Sequence, residues 1–298
     1  MIYRILFLII VAALFATASD RPVILGILED QAGHYANEPN YRDVRVVFVK
    51  KGEIWKPFPN NCRDRECLWK ITGSYPSEVV WTVAFDGKNL GQIISRTPNT
   101  FEWYADVGQQ EIISKEQIPT VGVQSSEFGG YTGANVYRPL VANSQQYFKD
   151  PDKWKPFLTT PMMTQALQQS FRRMFPKLCH QSEIDQSKLE PLPYRNEDIK
   201  VVKSYVSISG WILAHLHLQA IDCEDVEAGF DIEDPWFVVN PKKSIIYLDS
   251  GMWLVDAGDY DHDGRSELVF SINRDNEGGY EIYYDDFKKH AIFQFNYH

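Results

Sequence analysis

One acidic loop constrains this chain more than any other segment. Asp259, Asp261, Asp263 and Gly264 form an Asp-x-Asp-x-Asp-Gly run, and Glu267 follows shortly after. Carboxylates at alternate positions of so short a loop repel one another unless a cation holds them. Counted from Asp259, side-chain oxygens fall at the first, third and fifth positions, and Gly264 permits the sharp turn at the sixth. Arg265 offers its backbone carbonyl at the seventh and Glu267 its carboxylate at the ninth. These groups plus water suit calcium, which takes roughly six to eight oxygens. An EF-hand would need a glutamate where Phe270 stands, and a helix on each side. Instead, Trp253-Leu254-Val255 precedes the loop and Leu268-Val269-Phe270-Ser271-Ile272 follows it, both of β-type composition. The loop therefore joins two strands. A solvated, metal-free turn is the competing reading, and the crowding of the carboxylates favours calcium over it.

The remainder of the chain reads mostly as strands. Apolar or alternating runs cover 23–28, 45–49, 54–58, 79–85, 90–95, 201–207, 211–219, 236–240 and 244–248. Asp86-Gly87 between two of them is a hairpin signal. From about 142 to 198 the composition turns rich in Pro, Gln and Lys. Within that insertion the spacing of Met163, Ala166, Leu167, Ser170, Phe171 and Met174 predicts a helix from Pro161 to a stop at Pro176. Many short strands with one short helix define an all-β class, with sandwich, barrel and propeller as candidates.

At residues 258–270 the chain resembles the FG-GAP/VCBS repeats of integrin-α-like β-propellers. Gly258-Asp259-Tyr260-Asp261-His262-Asp263-Gly264-Arg265-Ser266-Glu267-Leu268-Val269-Phe270 is similar to that family's calcium loop and following strand. The resemblance covers about the last 50 residues, by the usual length of a blade. It implies calcium held by Asp259, Asp261, Asp263, the Arg265 carbonyl and Glu267, the last standing where the family more often has aspartate. It also implies a β-propeller-like fold of about five blades, with a short helical insertion, in which the metal staples a turn. Strands at 252–256, 267–273, 280–284 and 291–296 would make one four-stranded blade.

The start of the chain reads as an export signal. Arg4, an apolar run over 5–15 and Ala16-Thr17-Ala18 form a leader over 1–18, which leaves 19–298 as the β-rich domain. The run is short for a membrane span. A formal charge of -10 disfavours phosphate backbones, so nucleic acid is not an expected partner. The basic pairs Lys50-Lys51, Arg172-Arg173, Lys242-Lys243 and Lys288-Lys289 read as solvated surface. Four cysteines in an exported chain suggest two disulfides, Cys62 with Cys67 in a stapled polar loop and Cys179 with Cys223.

No nucleophile elbow, zinc-protease helix or phosphate-cradling glycine loop occurs in the sequence. Glu29, Asp30, Asp86, Asp106 and Glu127 are scattered acids, and glycosidase chemistry would need two of them paired. His215 and His217 share one side of a strand and read as a half-exposed face. The acidic stretch from Asp222 to Asp234 reads as a solvated loop, and 125–133 as a Gly-rich loop able to touch a ligand. The expected function is an exported, calcium-stabilised binding protein for a protein or glycan, secreted or periplasmic. An envelope glycoside hydrolase or lyase and a structural subunit of a larger complex are the alternatives.

Overall fold

The structure is a computed structural model that describes residues 22–31, 41–128, 134–146, 148–181, 189–218, 221–222, 235–274 and 277–296. The expected leader lies outside the described residues. Every strand expected from apolar runs is present, and most of these runs bury one face or both.

The first seven strands are β1 (Ile24–Gln31), β2 (Tyr41–Lys51), β3 (Ile54–Pro57), β4 (Glu78–Phe85), β5 (Lys88–Arg96), β6 (Gln109–Ile112) and β7 (Leu140–Asn143). They pair in the order β1-β7-β4-β5-β6-β2-β3, and a further β1–β2 ladder closes six of them into an antiparallel barrel. β3 extends the edge of β2 beyond β6. The β4–β5 hairpin turns on Asp86 and Gly87, both at positive φ (51° and 68°), as its tight turn demands. Between β3 and β4 lies α1 (Arg65–Thr72), capped by Asp64, whose side chain accepts from the Cys67 N–H at 2.8 Å. The Cys62–Cys67 disulfide is formed, so the polar stretch read as a stapled loop is a helix pinned at its first turn.

The middle of the chain supplies β8 (Lys155–Pro156), α2 (Pro161–Met174), β9 (Leu178–Gln181), β10 (Leu189–Pro191), β11 (Lys200–Val206), β12 (Ile212–His217), β13 (Ile221–Asp222), β14 (Trp236–Val239) and β15 (Ile245–Tyr247). A five-stranded sheet runs β15-β14-β12-β11-β8, beside a three-stranded β10-β9-β13. α2 begins where expected, with Thr160 as its cap. It lays Leu167 and Phe171 on a core shared with Leu178, Ile212, Ala214, Leu216, Phe237 and Val239. Met174, expected on that face, is exposed. Cys179 is disulfide-bonded; Cys223, its expected partner, lies outside the described residues.

The four C-terminal strands, β16 (Met252–Gly258), β17 (Glu267–Arg274), β18 (Glu277–Tyr284) and β19 (Lys289–Asn296), form an antiparallel meander. Alternation assigns its two faces to two cores. Val255, Val269, Tyr280, Ile282, Tyr284, Ala291, Phe293 and Phe295 pack with the barrel. Met252, Ala257, Leu268, Phe270, Ile272 and Tyr283 pack with Leu213 and Trp236 of the five-stranded sheet. At the barrel seam the Arg45 guanidinium forks onto the Glu29 carboxylate at 2.8 and 3.0 Å, and the Tyr280 hydroxyl donates to Glu29 at 2.6 Å.

The fold is therefore all-β with two α-helices among the described residues. The single four-stranded meander has the strand count of a blade. The five-blade expectation does not describe residues 24–143, which close on themselves as a barrel instead. The apolar runs gave no hint of this, because closure depends on β1 finding β7 more than a hundred residues away.

Candidate functional site

The acidic loop closes the β16–β17 hairpin, where Gly258 pairs with Glu267. Gly258 has to be glycine. A Cβ there would sit 2.2 Å from two ring carbons of Phe148, whose ring stacks on Tyr260 at 5.2 Å. Tyr260 is fully buried, and its carbonyl accepts from the Asn143 side chain at 2.8 Å. The Asp259 N–H donates to the Lys149 carbonyl at 2.9 Å. Ser266 donates its N–H to Asp152 and its hydroxyl to Asp150, at 2.9 and 2.5 Å. Asn143, Phe148, Lys149, Asp150 and Asp152 thus cradle the loop from outside.

Inside the loop, Gly264 takes a φ of +88°, and its N–H donates to Asp259 Oδ2 at 3.1 Å. The Tyr260 N–H donates to Glu267 Oε2 at 2.8 Å, and the Asp263 N–H to Asp261 Oδ1 at 3.1 Å. These bonds turn three carboxylates inward: oxygens of Asp259, Asp261 and Glu267 all lie within 4.8 Å of one another. Such a triad can hold a metal ion. Asp263 turns the other way. Its carboxylate pairs with the Arg265 guanidinium at 3.0 Å, and Arg265 also reaches Asp285 at 2.6 Å. Of the four carboxylates expected around the metal, three converge and one serves the solvent side of the turn.

The triad is buried: Asp259 is 0 % and Glu267 2 % exposed. Asp259 Oδ1 has no hydrogen-bond partner. Burial pushes the Glu267 carboxyl well above its ordinary range, and the charge of Asp261 adds to this. Burial likewise raises Asp259, against the Gly264 N–H that lowers it. Three crowded acids out of water need positive charge, and one source is already present. The Lys50 ammonium, on β2, ion-pairs with Asp261, both side chains nearly buried (13 % and 3 % exposed). It lies 5.3 Å from the centre of the Trp55 ring and 5.4 Å from that of Tyr284. The Lys50-Lys51 pair read as solvated surface is thus divided: Lys51 is exposed, and Lys50 reaches the acid cluster from the barrel. One lysine against three carboxylates leaves an excess of negative charge, and a divalent cation fits it.

A second feature lies where the three units meet. Phe128, Arg138, Lys203, Tyr205, Trp236, Trp253 and Leu254 line a cavity of about 150 Å³. Arg138 is held by donation to the Val255 carbonyl at 2.8 Å, with its guanidinium 4.3 Å from the Phe85 ring centre. Phe128 belongs to the Gly-rich loop expected to touch a ligand, whose residues 129–133 lie outside the described set. Sequence reasoning missed the other lining residues, since their convergence needs three sheets.

The remaining candidates have structural partners. Glu29 pairs with Arg45 and Asp30 with Arg42. The Asp86 N–H donates to Asp256, and Asp106 accepts from the Trp103 N–H. His215 is buried, not half-exposed, and stacks on Trp236 at 4.4 Å, while His217 is exposed. The Glu127 side chain and residues 223–234 lie outside the described residues. No helix among the described residues is long and apolar enough to cross a membrane. Compared with known proteins, the chain matches no family model, no curated protein and no solved structure.

Proposed function

We propose that this chain is an exported binding protein of the cell envelope or exterior, stapled by calcium, that recognises a glycan or protein ligand. In this reading the C-terminal meander and its acidic loop are an FG-GAP/VCBS-type, propeller-like unit. The loop is a staple, not a catalytic centre: its carboxylates are buried and committed to the hairpin, which leaves the ion little open coordination. Calcium is favoured over softer metals because the converging ligands are all carboxylate oxygens. The Cys62–Cys67 disulfide agrees with an oxidising compartment.

The observation that carries the binding function is the cavity lining. A glycosidase needs two carboxylates flanking the scissile bond. Among the described residues lining the cavity there is none; aromatic rings and cations take their place. Such walls hold a ligand without attacking it. The structural-subunit alternative asks for an exposed apolar helix face, and α2 turns Leu167 and Phe171 into its own core.

Two measurements test this. Chelation should lower the melting temperature, and Asp261→Ala should abolish that sensitivity; identical melting with chelator and with calcium overturns the staple. A glycan panel and a pull-down from envelope extract, each with and without calcium, should yield a specific ligand. Silence in both overturns the binding function.

A further inference from the structure

The buried pair of Lys50 and Asp261 has a chemistry beyond charge neutralisation, independent of the binding function proposed above. We propose that the Lys50 amine and the Asp261 carboxyl condense into an intramolecular amide, a covalent cross-link between the barrel and the C-terminal meander.

Position comes first. The Lys50 ammonium is in direct contact with Asp261 Oδ2, although the two residues are 211 positions apart in sequence. Both side chains are nearly buried. Other lysine ion pairs among the described residues, Lys70 with Glu66, Lys88 with Asp86 and Lys288 with Asp286, are exposed. In water an amine and an acid persist as separate ions because hydration stabilises both, and burial removes that hydration. Holding two reacting groups in contact can supply an effective concentration on the order of 10⁵ M or more. The rings of Trp55 and Tyr284 flank the lysine and shield the product from hydrolysis.

The other Asp261 oxygen supplies the second argument. Asp261 Oδ1 accepts from the Asp263 N–H at 3.1 Å, so a donor already polarises the carbonyl and stabilises the oxyanion formed on attack. One proton leaves Nζ to free its lone pair, the Nζ–Cγ bond forms, and the Cγ–Oδ2 bond breaks. Two ammonium protons thus end on Oδ2, which departs as water; atoms and charge balance with no co-reactant. Glu267, with a carboxylate oxygen within 4.8 Å of one on Asp261, is placed to relay them. The product keeps the Asp259 and Glu267 carboxylates and the amide oxygen as hard ligands, so cross-link and calcium are compatible.

The experiment is intact-mass spectrometry of the whole chain, reduced and denatured, followed by tandem sequencing of its peptides. Wild type should be lighter by one water than the sequence between its termini, and one branched peptide should join Lys50 to Asp261. Lys50→Met and Asp261→Ala should each restore the full mass. These controls separate the amide from a succinimide at Asp86-Gly87 or Asp263-Gly264, whose water loss would survive both substitutions. Glu267→Gln should slow cross-linking after synthesis by on the order of 100-fold, and an unchanged rate overturns the relay. A wild-type chain at full mass, or a water loss that persists in Lys50→Met, overturns the cross-link and leaves the calcium staple and the binding function standing. The wild-type mass is read on the denatured chain, so it decides the question even where a variant fails to fold.

Discussion

Replacing Lys50 by methionine tests the acid cluster most directly. Methionine keeps the length that packs between Trp55 and Tyr284 and removes only the charge. In wild type the ammonium meets Asp261 in a nearly buried pair. Removing one partner of a buried ion pair costs on the order of 3 to 5 kcal/mol, since the other charge stays desolvated and unmatched. At roughly 2 to 4 °C per kcal/mol, the melting temperature in chelator should fall by about 6 to 20 °C. Calcium should reverse the loss. A triad without its lysine is more negative by one charge, so the variant should bind calcium at least about tenfold more tightly than wild type. Thermal melts followed by circular dichroism, in chelator and across a calcium titration, measure both effects. If Lys50→Met melts like wild type in chelator, the lysine is not neutralising the cluster. If calcium stabilises both proteins equally, lysine and metal do not share a site.

Other outcomes follow from other contacts. Burial raises the Asp256 carboxyl to about 7, against the lowering effects of the Asp86 and Ala257 N–H groups and of Arg138. A carboxyl raised in the folded state holds a proton that the unfolded chain has lost, so stability should fall as pH rises from about 4 to 7, by on the order of 4 kcal/mol. Asp256→Asn should flatten that slope and melt higher than wild type at pH 8, with calcium present throughout. Gly258→Ala should cost about 1 to 3 kcal/mol by driving a methyl into the Phe148 ring, and Phe148→Ala in the same chain should recover part of it, as a double-mutant cycle measures. Removing the Cys62–Cys67 bridge with paired serines should cost about 2 kcal/mol, the chain-entropy value for so short a loop, read by urea unfolding.

How much of this was legible in the sequence depends on the range of the interactions. Strands announced themselves through local alternation, and the β4–β5 hairpin through Asp86-Gly87. The metal triad was legible at Asp259, Asp261 and Glu267 because one hairpin supplies all three. Asp263 was not separable from them by spacing alone; Arg265 and Asp285 decide its direction. Gln109–Ile112 carries no β signature, and Leu140–Asn143 runs into the start of the insertion expected from about 142. Both become strands because barrel closure pairs them. Lys50 and Lys51 are neighbours in sequence with opposite fates, since a strand sends adjacent side chains to opposite faces. The cavity was illegible for the same reason as the barrel: its walls come from loops and strands brought together only by the whole fold.

The C-terminal meander is a party wall between two cores. A wall of that kind leaves neither neighbour a surface it could keep if the other were lost. Unfolding the meander strips the outer barrel face around Arg45 and the inner sheet face around Trp236 at once. The three units therefore have no separate thermodynamic lives. Heat should dissolve them in a single transition.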